Sequence, residues 1–121
     1  MPCSVLIVDD HPVFRAQARA LLTAAGYQVV GEAADGESAV RVARDLSPDV
    51  MLLDVQLPDI TGFEVARRVR CAPGPPAVVL ISSRDASDYG RRIGRSGARG
   101  FISKADLSAS ALRAVLGGAP G

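Results

Sequence analysis

Ser4-Val5-Leu6-Ile7-Val8 stops abruptly in Asp9-Asp10, and Val50-Met51-Leu52-Leu53 stops in Asp54. Each run has the length of one strand and no polar residue at alternate positions, so each reads as a strand covered on both faces. Working outward, further short runs rich in β-branched residues stand at 28–31, 77–81 and 100–102. Helical patterns fill the gaps. Residues 12–25 place Val13, Ala16, Ala20 and Leu21 at helical spacing, with Pro12 in the first turn and Gly26 at the stop. A second helix is expected at 37–46, after Asp35-Gly36 and before Pro48. A third spans 63–71, after Gly62, and ends in Ala72-Pro73-Gly74-Pro75-Pro76. A fourth, at 86–96, carries Gly90 and Gly94, and a fifth spans 108–116. Five strands alternating with five helices make a (βα)5 chain of the α/β class, a doubly wound five-stranded parallel sheet with helices on both faces.

The 121 residues suffice for one domain. Fourteen Lys and Arg against 13 Asp and Glu leave a formal charge of +1, which gives no electrostatic ground for nucleic-acid or membrane-surface binding. Apolar residues at 48% supply a core, and charged residues at 22% exclude a disordered chain. Aromatics total only 4% and Trp is absent, which argues against a base-stacking platform. No apolar run approaches a membrane span, and Met1-Pro2-Cys3-Ser4 has no signal-like character. Cys3 and Cys71 are too few for a disulfide framework or, alone, a zinc site, and read as thiols of a reducing compartment. The expectation is a cytoplasmic single domain.

In open α/β sheets, ligands bind beyond the carboxyl ends of the strands, where the strand order reverses. Asp9 and Asp10 follow the first run, Asp54 ends the third, Ser82 and Ser83 follow the fourth, and Ser103 and Lys104 follow the fifth. The second is followed by Glu32-Ala33-Ala34 and contributes nothing chemical, as befits the edge strand of a sheet ordered 2-1-3-4-5. That order sets the first and third strands side by side and gathers Asp9, Asp10 and Asp54. Three carboxylates on one rim repel one another and call for a cation. Oxygen donors suit a hard ion, Mg²⁺ or Mn²⁺. Lys104 offers a point charge for phosphate and Ser82 a hydroxyl donor. A carboxylate nucleophile, a metal, a lysine and a hydroxyl compose a phosphoryl-acceptor site working through an aspartyl phosphate. His11, the only histidine, reads as a border of this site or the start of the first helix. Gly90 and Gly94, each costing roughly 1 kcal/mol in a helix interior, mark the fourth helix as the loosest element. Arg91, Arg92 and Arg95 on it form a basic patch, read as a solvated helix face, with a surface for an acidic partner as the alternative.

These residues fall in motifs. Val5-Leu6-Ile7-Val8-Asp9-Asp10-His11-Pro12, Ala34-Asp35-Gly36, Pro48-Asp49-Val50-Met51-Leu52-Leu53-Asp54, Leu57-Pro58-Asp59-Ile60-Thr61-Gly62 and Gly97-Ala98-Arg99-Gly100-Phe101-Ile102-Ser103-Lys104 span nearly the whole chain. The sequence resembles the receiver domain of bacterial two-component response regulators, with the flavodoxin/CheY-like architecture. Asp9-Asp10-His11-Pro12-Val13-Phe14-Arg15 and the lack of proline after Lys104 are most similar to the NarL/FixJ type. Regulators of that type usually carry a C-terminal helix-turn-helix domain.

The resemblance implies a receiver domain at 1–117 and a tail or start of a linker at 118–121. It implies phosphorylation of Asp54 by a sensor histidine kinase, Mg²⁺ held by Asp9, Asp10, Asp54 and the Gln56 carbonyl, and control of transcription through a domain outside this chain. Ser82 and Ser83 would meet the phosphate, Lys104 would pair with it, and Phe101 would be the switch aromatic. Gln56 and Arg84 would tune the lifetime of the phosphorylated state, and a homodimer could form on phosphorylation. The receiver itself would bind neither nucleic acid nor membrane, and would be an acceptor rather than a conventional enzyme. Two departures stand out: Ala105 replaces a frequent proline, and Phe101 lacks the hydroxyl of the commoner tyrosine. A flavodoxin-like FMN carrier needs a phosphate loop where Asp9-Asp10 would repel it. An aspartyl phosphatase needs a second acid where Gln56 stands. A receiver-like interaction module independent of phosphorylation is the alternative reading.

Overall fold

Burial of apolar runs on both faces dictates the architecture. The computed structural model describes residues 3–117; the tail expected at 118–121 lies outside the described residues. Strands β1 (Ser4–Val8), β2 (Gln28–Ala33), β3 (Val50–Asp54), β4 (Ala77–Ser82) and β5 (Gly100–Ser103) form one parallel sheet ordered β2-β1-β3-β4-β5. The helices are α1 (Pro12–Ala24), α2 (Gly36–Leu46), α3 (Gly62–Arg70), α4 (Arg92–Arg95) and α5 (Ala109–Leu116).

The pleat splits each strand between two cores. Leu6, Val8, Met51, Leu53 and Leu80 face the side of α2 and α3, meeting Ala39, Ala43, Val65 and Val69. Val5, Ile7, Leu52, Val79 and Ile81 face α1 and α5, meeting Ala18, Leu22 and Leu112. All five residues of β3 are buried, so the central strand carries no solvent face and its last residue, Asp54, is delivered into the interior rim.

Side-chain oxygens satisfy the free N–H groups of three helix starts. Asp35 accepts from the Ser38 N–H at 2.7 Å, Thr61 from the Glu64 N–H at 3.2 Å and Ser108 from the Ala111 N–H at 3.0 Å. Asp59, in the loop after β3, also accepts from the Gly36 and Glu37 N–H groups at 2.8 and 2.9 Å, tying that loop to the start of α2.

Two expectations are corrected. The packed stripe of α1 is Phe14, Ala18, Leu21 and Leu22, and Val13, expected on it, is 71% exposed. Ala16 and Ala20, also expected there, are exposed. Alanines recur around the whole helix and leave its phase undetermined; the larger side chains set it. The fourth helix expected at 86–96 is instead a 3-10 turn (Ala86–Asp88) followed by the single turn of α4. Gly90 lies between them at φ +56°, in the left-handed region that only glycine enters without strain, and this breaks the helix. A methyl group on Gly90 or Gly94 would meet no heavy atom within 4 Å, so neither serves close packing.

Candidate functional site

Pairing of β1 with both β2 and β3 puts Asp9, just past β1, beside Asp54 at the end of β3. The Asp9 side chain is fully buried and Asp54 is 2% exposed, whereas Asp10 is exposed at the rim. Lys104 reaches this pair from the end of β5. Its ammonium lies against Asp9 Oδ2, 3.3 Å from Asp54 Oδ2 and 4.5 Å from the centroid of the Phe14 ring. Ion pair and aromatic face together hold the cation over the two carboxylates.

His11 closes the opposite side. Its backbone N–H donates to Asp9 Oδ1 at 2.8 Å, and its Nδ1 stands 3.0 Å from Asp9 Oδ1 and 3.1 Å from Asp10 Oδ1. One donor atom from each of Asp9, Asp10, His11 and Asp54 falls within 4.8 Å of the others. A buried carboxylate pair balanced by a single ammonium is short of positive charge, so the cluster fits a divalent cation.

The electrostatics follow from burial. Desolvation, with repulsion from Asp9 second, raises the Asp54 carboxyl to about 6, against the opposing pull of Lys104. Burial also works against the charged Lys104, but its hydrogen bond to Asp9 and the charges of Asp54 and Asp9 outweigh it and hold its pKa above the ordinary value.

The backbone around Asp54 is shaped by a close approach. A Cβ on Gly62 would come within 2.3 Å of the Asp54 carbonyl oxygen and 2.9 Å of Val55 Cα. The Gly62 N–H donates to the Val55 carbonyl at 2.8 Å. The loop after β3 thus folds directly onto the strand end, and the Gln56 N–H reaches Asp54 Oδ1 at 3.2 Å.

The sheet register places Ser82 one residue past Ile81, which pairs with Asp54. Its hydroxyl is buried and engaged elsewhere, 2.7 Å from the Tyr89 hydroxyl and accepting from the Arg84 N–H at 3.0 Å. Tyr89 is a residue the sequence reading missed. Buried, it packs edge-on to Phe63 with centroids 5.5 Å apart and tilted to Phe101 at 5.8 Å. A lone tyrosine inside a presumed helix carried no motif that would have marked it. Phe101 is half-buried in this stack. Gln56, Ser83 and Arg84 are exposed, and no hydrogen bond or ion pair from their side chains joins them to Asp9 or Asp54. Strand β2, expected to contribute nothing, supplies Glu32, which accepts from Arg15 at 3.0 Å and Arg19 at 2.7 Å. Arg15 in turn donates to the Asp9 carbonyl at 2.7 Å, so Glu32 fixes the residue that supports Asp9.

The family model for the response regulator receiver domain matches residues 5–116. The chain belongs to the response regulator receiver domain family. Among relatives, the virulence-factor transcription regulator BvgA of Bordetella pertussis is 37% identical over 100 residues, covering 83% of this chain and 48% of BvgA. The receiver domain of the response regulator NarL from Mycobacterium tuberculosis is 36% identical with a TM-score of 0.83, covering 96% of this chain and 98% of that one. The CheY chain in the CheX-CheY-BeF3-Mg²⁺ complex from Borrelia burgdorferi is 26% identical with a TM-score of 0.84, covering 96% of this chain and 87% of its own. This receiver spans about half the length of the curated relatives it matches. No helix among the described residues is long and apolar enough to cross a membrane.

Proposed function

We propose that this receiver, residues 1–117, accepts a phosphoryl group on Asp54 from the phosphohistidine of a sensor histidine kinase, and that the carrying observation is the Asp9–Lys104–Asp54 arrangement at the sheet edge. The donor N–P bond breaks as an Asp54 carboxylate oxygen forms the new O–P bond, and the imidazole leaves on the kinase. Asp54 must be ionised to attack, and its raised pKa of about 6 leaves it charged at neutral pH. Lys104, already in contact with Asp54, pairs with the incoming phosphoryl oxygens. Asp9, Asp10, Asp54 and the Gln56 carbonyl are the residues that would hold Mg²⁺, or Mn²⁺ in its place. Bound there, the ion neutralises developing oxygen charge. The complex of the relative CheY from Borrelia burgdorferi contains BeF3 and Mg²⁺.

Ser82 and Ser83 meet the new phosphoryl group. Where the Ser82 hydroxyl donates to Tyr89, turning it toward the phosphoryl group breaks that bond and unlocks the stack of Tyr89, Phe63 and Phe101. That is a two-state element biased by a local charge. Phe101, with no hydroxyl, changes place by packing alone. The exposed Gln56 and Arg84 flank the site and control the approach of hydrolytic water. The output is transcription control through a DNA-binding domain outside this chain, in the cytoplasm, with homodimer formation on activation.

Incubation with acetyl phosphate and Mg²⁺ tests the reading by intact mass spectrometry. The expected result is one added phosphoryl mass, absent without Mg²⁺ and absent in Asp54→Ala. An unchanged mass favours an interaction module that works without phosphorylation. Light scattering with beryllofluoride reads the dimer, and an unaltered mass removes that part.

A further inference from the structure

The near-neutral total charge conceals a segregated one. The carboxylates Asp9, Asp10 and Asp54 crowd the β-strand C-terminal edge, while arginines line α3 and α4. Between those helices runs a trough of about 340 Å³, walled by Arg67 and Arg70 on one side and Arg92 and Arg95 on the other, with Phe63 as its floor. The one carboxylate in its wall, Glu64, is already taken by Arg67 and Arg68. Among the described residues no carboxylate pairs with Arg70, Arg92 or Arg95.

Two of these guanidiniums are held in place without a charge partner. Arg92 lies 4.4 Å above the Phe63 ring, and the stem of Arg70 runs against Gly97, within 2.8 Å of where a Cβ would stand. A planar guanidinium fixed by packing has less rotamer freedom to lose when a carboxylate binds, and its forked donors match carboxylate geometry. We propose that this trough is a docking site for an acidic peptide segment of a partner protein, whose Asp and Glu side chains pair with Arg70, Arg92 and Arg95.

The occupant follows from what the trough offers. One face of Phe63 is covered by Arg92 and Tyr89 packs edge-on to its ring, so the floor presents little to a stacked nucleobase. All four arginines are exposed, which suits an extended chain lying across them rather than a small molecule enclosed by them. Complementary charge then sets partner choice and encounter rate. Binding there needs no phosphoryl group on Asp54.

The test uses the whole chain and a short fluorescein-labelled peptide of alternating Glu and Ala, read by fluorescence anisotropy at low salt. Saturable binding is expected, lost with the Gln counterpart of the peptide and weakened by salt. Reversing two charges in the trough, Arg70→Glu with Arg95→Glu, is expected to weaken binding roughly tenfold or more. The pair Arg99→Glu with Arg113→Glu makes the same change in net charge away from the trough and is expected to leave affinity within a factor of about two. Equal loss in both pairs would mean general surface attraction and overturns the site. Amide chemical-shift mapping on the unaltered chain guards against a variant that fails to fold. Shifts must gather on 61–70 and 91–97, and shifts centred elsewhere overturn the proposal. So does a DNA duplex that displaces the peptide and binds more tightly.

Discussion

At Asp54 the same burial that makes the carboxylate useful also makes it costly. With its pKa raised to about 6, the folded chain binds a proton at this residue more tightly than the unfolded chain does. Between pH 6 and 4 the native state therefore holds more protons there, and this residue's share of stability falls as pH rises through that window. In EDTA at pH 7.5, Asp54→Asn is expected to raise the melting temperature, with a gain of about 1–3 kcal/mol that shrinks toward zero as the pH approaches 4. A destabilised variant under those conditions contradicts the electrostatic account. Tyr89→Phe removes the partner of Ser82 but leaves Ser82 its bond from the Arg84 N–H, so a loss of about 1 kcal/mol in urea unfolding is expected. Gly62→Ala is far harsher, since the methyl would strike the Asp54 carbonyl. It is expected to cost upwards of about 2 kcal/mol and to slow labelling by acetyl phosphate, measured on the same samples.

At the scale of elements, Gly90 and Gly94 look equivalent in sequence and behave oppositely in the structure. Gly90 takes φ +56°, so Gly90→Ala is expected to destabilise by roughly 1 kcal/mol. Gly94 sits in α4 without that conformation and with open space around it, so Gly94→Ala is expected to stabilise by a few tenths to about 1 kcal/mol. Chemical denaturation of the two variants side by side decides it; equal shifts would contradict the helix break. The α2 start shows a different dependence. The Glu37 and Gly36 N–H groups hold the Asp59 carboxyl down at about 2, and the Arg19 hydrogen bond does the same in direction for Glu32. Groups with depressed pKa values stabilise above their unfolded values and lose that contribution as pH falls through the folded ones. Acidification from pH 4 to 2 should thus loosen the α2 start, and falling pH should weaken the Arg15–Glu32–Arg19 clamp in the same direction, both read as faster amide exchange, and Asp59→Asn should remove the α2 part of the effect.

For the whole molecule, the two cores on opposite faces of the sheet are separate packing problems. Leu52 belongs to the core under α1 and α5, and Leu53 to the one under α2 and α3. Leu52→Ala and Leu53→Ala are each expected to cost about 3 kcal/mol. Because they face different cores, any coupling between them in the double variant passes through the shared β3 backbone and not through side-chain packing. Only Leu53→Ala lies in the core that includes Tyr89, so only it should alter Tyr89 fluorescence as well.

The parallel sheet and the gathering of Asp9, Asp54 and Lys104 at its carboxyl edge were legible in the chain, because apolar runs without polar alternation imply strands covered on both faces, and each run ends in the residue it delivers to that edge. Residues 4–8 and 50–54 state their burial by having no polar position, and that property needs no tertiary context. The phase of α1 and the break at Gly90 were not legible: alanine is indifferent to which face it takes, and glycine fits a helix interior and a left-handed turn alike. Nor did the one-dimensional pattern carry Tyr89, the grip of Phe14 on Lys104, or the meeting of the α4 arginines with Arg67 and Arg70 of α3. Each arises where side chains from elements distant in sequence meet, and only the packed structure decides those meetings, since their energies depend on distances that no local periodicity encodes.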